Sequence, residues 1–315
     1  MQTRRVGGSG LEVSRIGLGT LTWGADTDLE AATAQLTAFV DAGGSLVETA
    51  DGYGDGLAQE TLAAVLAASV PREYVVIAGR ASLPGGPLGD GAARGALLSG
   101  LDATLKRLGV DHLDLWQLPA WDATVPVDET LSAVQVAVLA GKVRYAGLVA
   151  PRGWQLATVA ERGRTLGPLT VPVSAQVEYS LLARDVEAEL VPAAVHHGVG
   201  LLAWAPLGRG VLTGKYADGT PADSRGASPT LAPYVEARRT ERSTRIVQAV
   251  LTAADGLGTS PLAVALAWVR DLPGVASAVV GARDAAQLAA SMATEAVTLP
   301  AEIRAALDDV SGPIA

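Results

Sequence analysis

The sequence predicts an α/β fold: a (β/α)8 barrel, entered through an N-terminal β-hairpin and carrying a long loop after its seventh strand. Three observations predict it. Short, almost wholly apolar runs alternate with helical patterns along the chain, as in parallel strands buried on both faces. The alternation repeats eight times, the number of strands that closes such a barrel. No G-x-G-x-x-G follows the first strand, which counts against a dinucleotide-binding doubly wound sheet. With 315 residues, 49% of them hydrophobic, the chain reads as one domain over 1–315 with a full core.

The elements follow in order. Arg4-Arg5-Val6 and Leu11 to Val13 flank Gly7-Gly8-Ser9-Gly10, a hairpin signature over residues 3–15. Ile16 to Gly19 is the first barrel strand. Asp28 can cap a helix to about Ala42 that turns Leu29, Leu36, Phe39 and Val40 inward. Ser45-Leu46-Val47 is the second strand; the chain turns polar at Glu48 and enters a helix from Leu57 through Leu66. Further strands are expected at Tyr74 to Ala78, His112 to Leu118, Val143 to Val149, Val173 to Val177, Val199 to Trp204 and Val275 to Val280. Helices are expected at Arg94 to Leu108, Asp128 to Leu139, Trp154 to Arg164, Val186 to His196, Thr240 to Leu257 and Pro261 to Val269, then from Asp284, and from Pro300 to Val310. The segment Leu207 to Arg239 is rich in Gly, Pro, Ser and Asp. It is too long for an ordinary connection and reads as a lid or binding loop.

Composition excludes several functions. A formal net charge of -9 without any basic run argues against nucleic acid and against an anionic membrane surface. The absence of cysteine removes disulfides and thiol chemistry. Only His112, His196 and His197 offer imidazole, and no metal-binding spacing appears, so no metal is expected. The N-terminus lacks the apolar core of a signal peptide, and no apolar run is long enough to span a bilayer; the expectation is a cytoplasmic protein whose partner is a small molecule, its oligomeric state left open.

The chemistry is expected around SLVETADGYGDGLAQE, residues 45–60. Glu48 and Tyr53 stand five residues apart where strand becomes loop, on the rim where barrels place their catalysis. A carboxylate and a phenol there can exchange a proton across a small substrate. The plainer alternative is that Tyr53 packs in its loop and Glu48 caps a turn.

The runs GSGLEVSRIGLGTLTWG (8–24), ETADGYGDG (48–56), YVVIAGR (74–80), LDLWQL (113–118), GKVRYAGL (141–148), QVEYSLL (176–182), LLAWAPLGRGVLTGKY (201–216) and VVGARDAAQL (279–288) together resemble an aldo-keto reductase along nearly the whole chain. The resemblance implies a TIM barrel, NADP(H) extended across the strand C-termini, and hydride transfer to a carbonyl. It also implies an Asp-Tyr-Lys-His tetrad. Those positions fall on Glu48, Tyr53, Arg80 and Pro119. Glu48 keeps the charge and reaches one methylene further. Arg80 keeps a cation that cannot give up its proton and favours bidentate pairing. Pro119 removes a side-chain donor.

The implied cofactor cradle is partly changed. The pair that holds the nicotinamide amide falls on Val149-Ala150, and a pair near the adenine on Ala290-Ser291. Gln176 matches a second amide contact and Trp204 the aromatic under the nicotinamide. Pro206, Leu207, Gly208, Arg209 and Gly210 match the pyrophosphate loop, with Lys215 beyond it, and Arg283 and Gln287 fall in the region of the 2′-phosphate and adenine. Trp23, Trp121 and Pro119 are expected to shape an apolar substrate pocket, although either tryptophan could equally be loop packing. Glu48 and Arg80 could be only an ion pair between strands, which contributes little to stability because desolvation offsets attraction.

The leading expectation is an enzyme of this family with a remodelled site, in which Glu48 and Tyr53 perform acid–base chemistry on a small, natural-product-like molecule. Isomerisation, elimination or cyclisation fits, with Arg80 anchoring an anionic or enolate oxygen. The alternatives are an NADP(H)-dependent oxidoreductase that reduces a carbonyl or enone with an unusual tetrad, and a non-catalytic binding protein.

Overall fold

Strands that are apolar on both faces are stable only between an inner core and an outer ring of helices, and the chain builds that arrangement. The structure, a computed structural model, describes residues 1–81, 91–119, 121–222, 224–229 and 231–312. The hairpin is β1 (Thr3–Arg5) with β2 (Glu12–Ser14). The barrel consists of β3 (Ile16–Gly19), β4 (Leu46–Ala50), β5 (Val76–Arg80), β6 (Leu113–Leu118), β7 (Val143–Val149), β8 (Ser174–Glu178), β9 (Gly200–Trp204) and β10 (Val275–Val280). Neighbours run parallel, and β10 pairs with both β9 and β3, which closes the ring.

Around it lie α1 (Leu29–Asp41), α2 (Leu57–Ala68), α3 (Arg94–Leu108), α4 (Val127–Leu139), α5 (Gly153–Leu166), α6 (Leu190–His197), α7 (Ala232–Glu236), α8 (Glu241–Gly256), α9 (Pro261–Arg270), α10 (Ala285–Ala293) and α11 (Ala301–Ser311). The Asp28 side chain accepts from the Ala31 amide and so starts α1; Thr240, Ser260 and Asp284 do the same for α8, α9 and α10. Among the described residues no single helix is long and apolar enough to cross a membrane.

Four boundaries differ from expectation, each for a local reason. The second strand continues through Ala50, so Glu48 lies inside β4 rather than at its end. The strand expected at Tyr74 to Ala78 begins at Val76, because Arg72–Tyr74 form a 3-10 turn pinned by Arg72, which donates to Val75 O at 2.7 Å and to Asp114 Oδ2 at 2.6 Å. That shift makes Arg80 the last residue of β5. The helix expected from Val186 begins at Leu190: Pro192 lacks an amide hydrogen and is tolerated in a first turn, and Asp185–Glu187 form a separate turn before it. The segment after β9 is not plain loop. It carries 3-10 turns at Gly208–Thr213 and Arg225–Ala227, and then α7.

The barrel interior is apolar at one end and polar at the other. At the N-terminal end Leu46, Ala78, Leu115 and Leu202 are fully buried, and Val6, Leu11 and Val13 of the hairpin plug them from below. Toward the C-terminal end come Glu48, Gln117, Ser174, Gln176 and Ser277, none more than 3% exposed. Gly147 makes room for them: a Cβ there would lie 2.0 Å from Ser174 Oγ and 2.3 Å from Gln117 Oε1. The sequence thus spends polar side chains on one end of its core, a costly choice unless they are paired or used.

The hairpin plug makes one contact that only glycine allows. Gly7 has φ +56°, and a Cβ there would lie 2.3 Å from Gly198 O and 2.6 Å from Gly200 N. Gly7→Ala is expected to lose about 1–3 kcal/mol from backbone strain alone, and more from the clash. Thermal unfolding reads this, and an unchanged midpoint would contradict the seating of the hairpin against β9.

Candidate active site

The polar end of the barrel converges on one phenol. Tyr53 opens a 3-10 turn between β4 and α2, and Gly54, Asp55 and Gly56 all have positive φ (56°, 53° and 97°). This tight turn folds the tyrosine back over the barrel mouth. Its hydroxyl donates to Glu48 Oε1 at 2.8 Å and accepts from Arg80 Nη1 at 3.0 Å. The same Glu48 oxygen accepts from Gln176 Nε2 at 3.0 Å and lies 3.7 Å from Arg80 Nη1. Glu48 Oε2 makes no hydrogen bond with a described residue and faces Gly19, where a Cβ would lie 3.4 Å away. A carboxylate this buried is tolerated because a cation and two donors surround it.

The electrostatics fix the protonation states. Burial, and then the Glu48 charge, push the Tyr53 phenol far above its ordinary value; Arg80 opposes this without overcoming it. Tyr53 is therefore a neutral donor. Burial alone would lower the Arg80 guanidinium, but Tyr53 and Glu48 outweigh it and raise it, so it remains a cation. Pro119 follows β6 and supplies no donor. Glu48, Tyr53 and Arg80 thus meet, and Pro119 takes no part.

A second feature lies beneath the long segment after β9. Trp204 ends β9 with its indole Nε1 buried and unpartnered among the described residues. The chain then passes through positive φ at Ala205 (50°), Gly208 (56°), Arg209 (61°) and Gly210 (93°). The four described non-glycine residues with positive φ, Asp55, Ala150, Ala205 and Arg209, all lie in connections that leave strand C-termini, where strain accompanies function. Arg209 sits 5.5 Å above the Trp204 ring and pairs with Glu178 at 3.0 Å, and Arg238 pairs with the same carboxylate at 2.9 Å. Glu178 thereby ties the segment down over the mouth. Lys215 lies 5.3 Å over the Tyr216 ring.

Under that segment is a cavity of about 300 Å³ lined by Thr22, Asp26, Ser224, Arg225, Leu231 and Arg283. The Arg225 guanidinium forms no hydrogen bond or ion pair with a described residue. Burial, opposed by Tyr216 and then reinforced by Arg283, holds its pKa below the ordinary value. A Cβ on Gly281 would lie 2.7 Å from Arg225 Nη2, so a glycine beyond β10 is what admits this side chain. A guanidinium with no ion pair to a described residue, beside Arg283 in a cavity that Asp26 also lines, can take an anionic ligand.

These residues fit the phosphate half of NADP(H): two arginines and two serines, with Asp26 as the one carboxylate, line one cavity. At the nicotinamide half the buried, unpartnered Gln176 Oε1 offers an acceptor. Val149 and Ala150 offer no side-chain donor, and the Ala150 amide is committed to Gln176 O at 2.8 Å. Gln287 Oε1 accepts from the Arg283 amide at 3.3 Å, and Ser291 Oγ donates to Gln287 O at 3.1 Å; Ala290 adds no polar group.

Sequence reasoning missed Arg225. Its signal was present: it is the single cation between Lys215 and Arg238, set among small residues. Trp23 lines neither the Arg225 cavity nor the one beside Pro119. It is fully buried, and its indole donates to Gln35 Oε1 of α1 at 3.2 Å, so it packs behind its loop. Trp121 and Pro119 line a small apolar cavity between β6, β7 and the flanking helices. His112 lies 3.6 Å from Asp114, and His197 contacts Arg164, both away from Tyr53. Among the described residues no three metal-ligating side chains cluster.

Because Glu48 raises the Tyr53 pKa and Arg80 lowers it, the two substitutions act in opposite directions. Glu48→Gln should bring the Tyr53 titration down and Arg80→Met should move it up. Tyrosinate absorbance against pH, with Tyr53→Phe as the subtraction control, checks both signs. A Glu48→Gln protein with an unmoved curve would contradict the charge coupling.

Comparison with known proteins identifies the family. Residues 15–311 match the model of the aldo/keto reductase family. The chain is 35% identical over 299 residues to a probable voltage-gated potassium channel subunit beta of Oryza sativa subsp. japonica, covering 93% of this chain and 90% of that one. It is 34% identical over 324 residues to the uncharacterized oxidoreductase YrpG of Bacillus subtilis (98% and 96% covered), and 32% identical over 306 residues to L-glyceraldehyde 3-phosphate reductase of Escherichia coli K12 (91% and 86% covered). With the closed barrel, the rim-placed tyrosine and a match over nearly its full length, the chain belongs to the aldo/keto reductase family.

Proposed function

We propose that the protein is an NADP(H)-dependent oxidoreductase of small carbonyl compounds in which Tyr53 donates the proton and Arg80 supplies the neighbouring cation. The observation that carries this reading is the Tyr53 hydroxyl held between Glu48 and Arg80 at the mouth of a barrel that also presents the Arg225 and Arg283 cavity. Relatives named as reductases and oxidoreductases support it.

In this reading Arg225, Arg283 and Ser224 would hold the phosphates, and Trp204 and Gln176 would meet the nicotinamide. When bound, the nicotinamide supplies the hydride. A carbonyl oxygen that has gained electron density is more basic than a phenolate, so a neutral Tyr53 can protonate it although its own pKa is raised. Arg80, already 3.0 Å from the phenol oxygen, then faces the negative charge left there. Glu48 opposes that charge, which makes proton donation harder than in a site whose carboxylate stands further away.

One observation favours a second reading. The Tyr53 proton already points at Glu48, and Val149 and Ala150 give the nicotinamide amide no side-chain donor. Isomerisation, elimination or cyclisation by Glu48 and Tyr53 needs neither hydride nor that grip. Label separates the two: deuterium from 4-deuterated NADPH should appear on product carbon under the first reading, and deuterium from solvent under the second.

Three outcomes are expected. Tyr53→Phe should lower kcat for carbonyl reduction by about 10²–10⁴, the range of general acid catalysis. Arg225→Met should weaken NADPH binding about tenfold or more, the scale of one charge-assisted contact, as read by fluorescence titration. Because Tyr53 stays protonated, kcat/KM should show no fall due to its ionisation between about pH 7 and about pH 10, the ordinary phenol value. A wild-type protein that neither binds NADPH nor transfers its label would overturn the reading.

A further inference from the structure

The cavity beside Pro119 lies outside the polar network. Leu118 and Leu148, at the C-terminal ends of β6 and β7, form its inner wall; Leu131 of α4 and Val159 of α5 form its outer wall; Pro119 and Trp121 stand at the rim. Its polar residues make hydrogen bonds elsewhere. Asp122 accepts from the Ala92 amide at 3.1 Å and from Thr124, Thr130 Oγ1 donates to Ala92 O at 3.0 Å, and Gln155 Oε1 accepts from the Arg152 amide at 2.8 Å. What the cavity offers an occupant is therefore mainly hydrocarbon.

Position connects it to the chemistry. Arg80 pairs in register with Gln117, and the Ala81 amide donates to Gln117 O at 2.9 Å, so the β6 terminus borders the strand that carries Arg80. In β6 the alternation of a strand turns Gln117 into the barrel and Leu118 outward, which places the cavity over the rim from the reacting centre. Its volume is about 40 Å³. That exceeds the roughly 10–15 Å³ a water needs and falls short of the roughly 150 Å³ of a benzene-binding cavity. Trp121, half-buried, closes it on the solvent side and leans on Trp154, ring centroids 4.9 Å apart and planes at 59°.

We propose that this cavity is a specificity pocket that receives a short unbranched alkyl group of the substrate, so that the preferred substrate carries its polar reacting group at one end and an aliphatic chain at the other. The proposal rests on the reading that a small molecule reacts at Tyr53. A proline where the family places a histidine is consistent with it: the rim at Pro119 presents an apolar edge over which a chain can pass.

The test uses primary alkanols from propan-1-ol to octan-1-ol, which need no turnover. Tryptophan emission of the full-length protein follows binding, because Trp121 is part of the wall. Affinity should rise about fourfold per methylene, the transfer value of a buried CH₂, and then level off once the cavity is full. Val159→Leu, which fills the space, should weaken the longer alkanols about tenfold. Leu131→Ala, which enlarges it, should move the plateau to longer chains. An emission that ignores chain length in the wild type, or a folded Val159→Leu protein that binds every alkanol like the wild type, would reduce the cavity to a packing defect. Alkanol binding without NADPH label transfer would leave the pocket standing and remove the reductase reading; label transfer without alkanol binding would do the reverse.

Discussion

One buried carboxylate organises this protein. Glu48 lies inside a barrel strand, almost wholly out of water, and a charge there is stable only if the surrounding chain supplies its hydrogen bonds. Two strands and a turn do so. Gln176 arrives from β8, Arg80 from the end of β5, and Tyr53 from the turn that follows β4 itself. The need to satisfy one charge therefore fixes where the phenol points and why a guanidinium sits beside it. The same constraint explains the polar end of the core and the glycine on β7 that gives it space.

The second organising feature is a cation with no ion pair to a described residue. Most arginines at the mouth are paired: Arg209 and Arg238 share Glu178, and Arg80 leans on Glu48. Arg225 lines its cavity with Arg283 and Asp26. Paired arginines hold a loop in place, whereas an arginine without such a pair is open to an anion. The long segment after β9 carries both kinds, with Glu178 as its tether. Between these two features lie the strained positions at Ala150, Ala205 and Arg209, which shape the rim rather than the core.

Much of the barrel was legible in the sequence because strand and helix periods are local properties. The eight apolar runs, the glycine-centred hairpin and the Asp28, Thr240 and Asp284 caps could each be read from a few neighbours. Errors arose where a distant contact decides. Arg72 reaches Asp114, 42 residues on, and delays β5 by two residues; the approach of Gln176, 128 residues away, satisfies a Glu48 that sequence alone placed at a strand end. For Trp23 the sequence leaves pocket wall and loop packing equally open. Its partner Gln35 lies on a helix whose docking the sequence does not display.

By itself the sequence determined the fold class, the family resemblance and the absence of thiol chemistry, since each depends on composition or on spacing along the chain. Only the tertiary structure decided that Glu48, Tyr53, Arg80 and Gln176 form one hydrogen-bonded chain, that Arg225 has no carboxylate partner among the described residues, and that the cavity beside Pro119 is lined mainly by hydrocarbon. Those are properties of pairs of groups brought together from different strands. Desolvation and hydrogen-bond satisfaction act between neighbours in space, and a linear sequence names the groups without stating which of them meet.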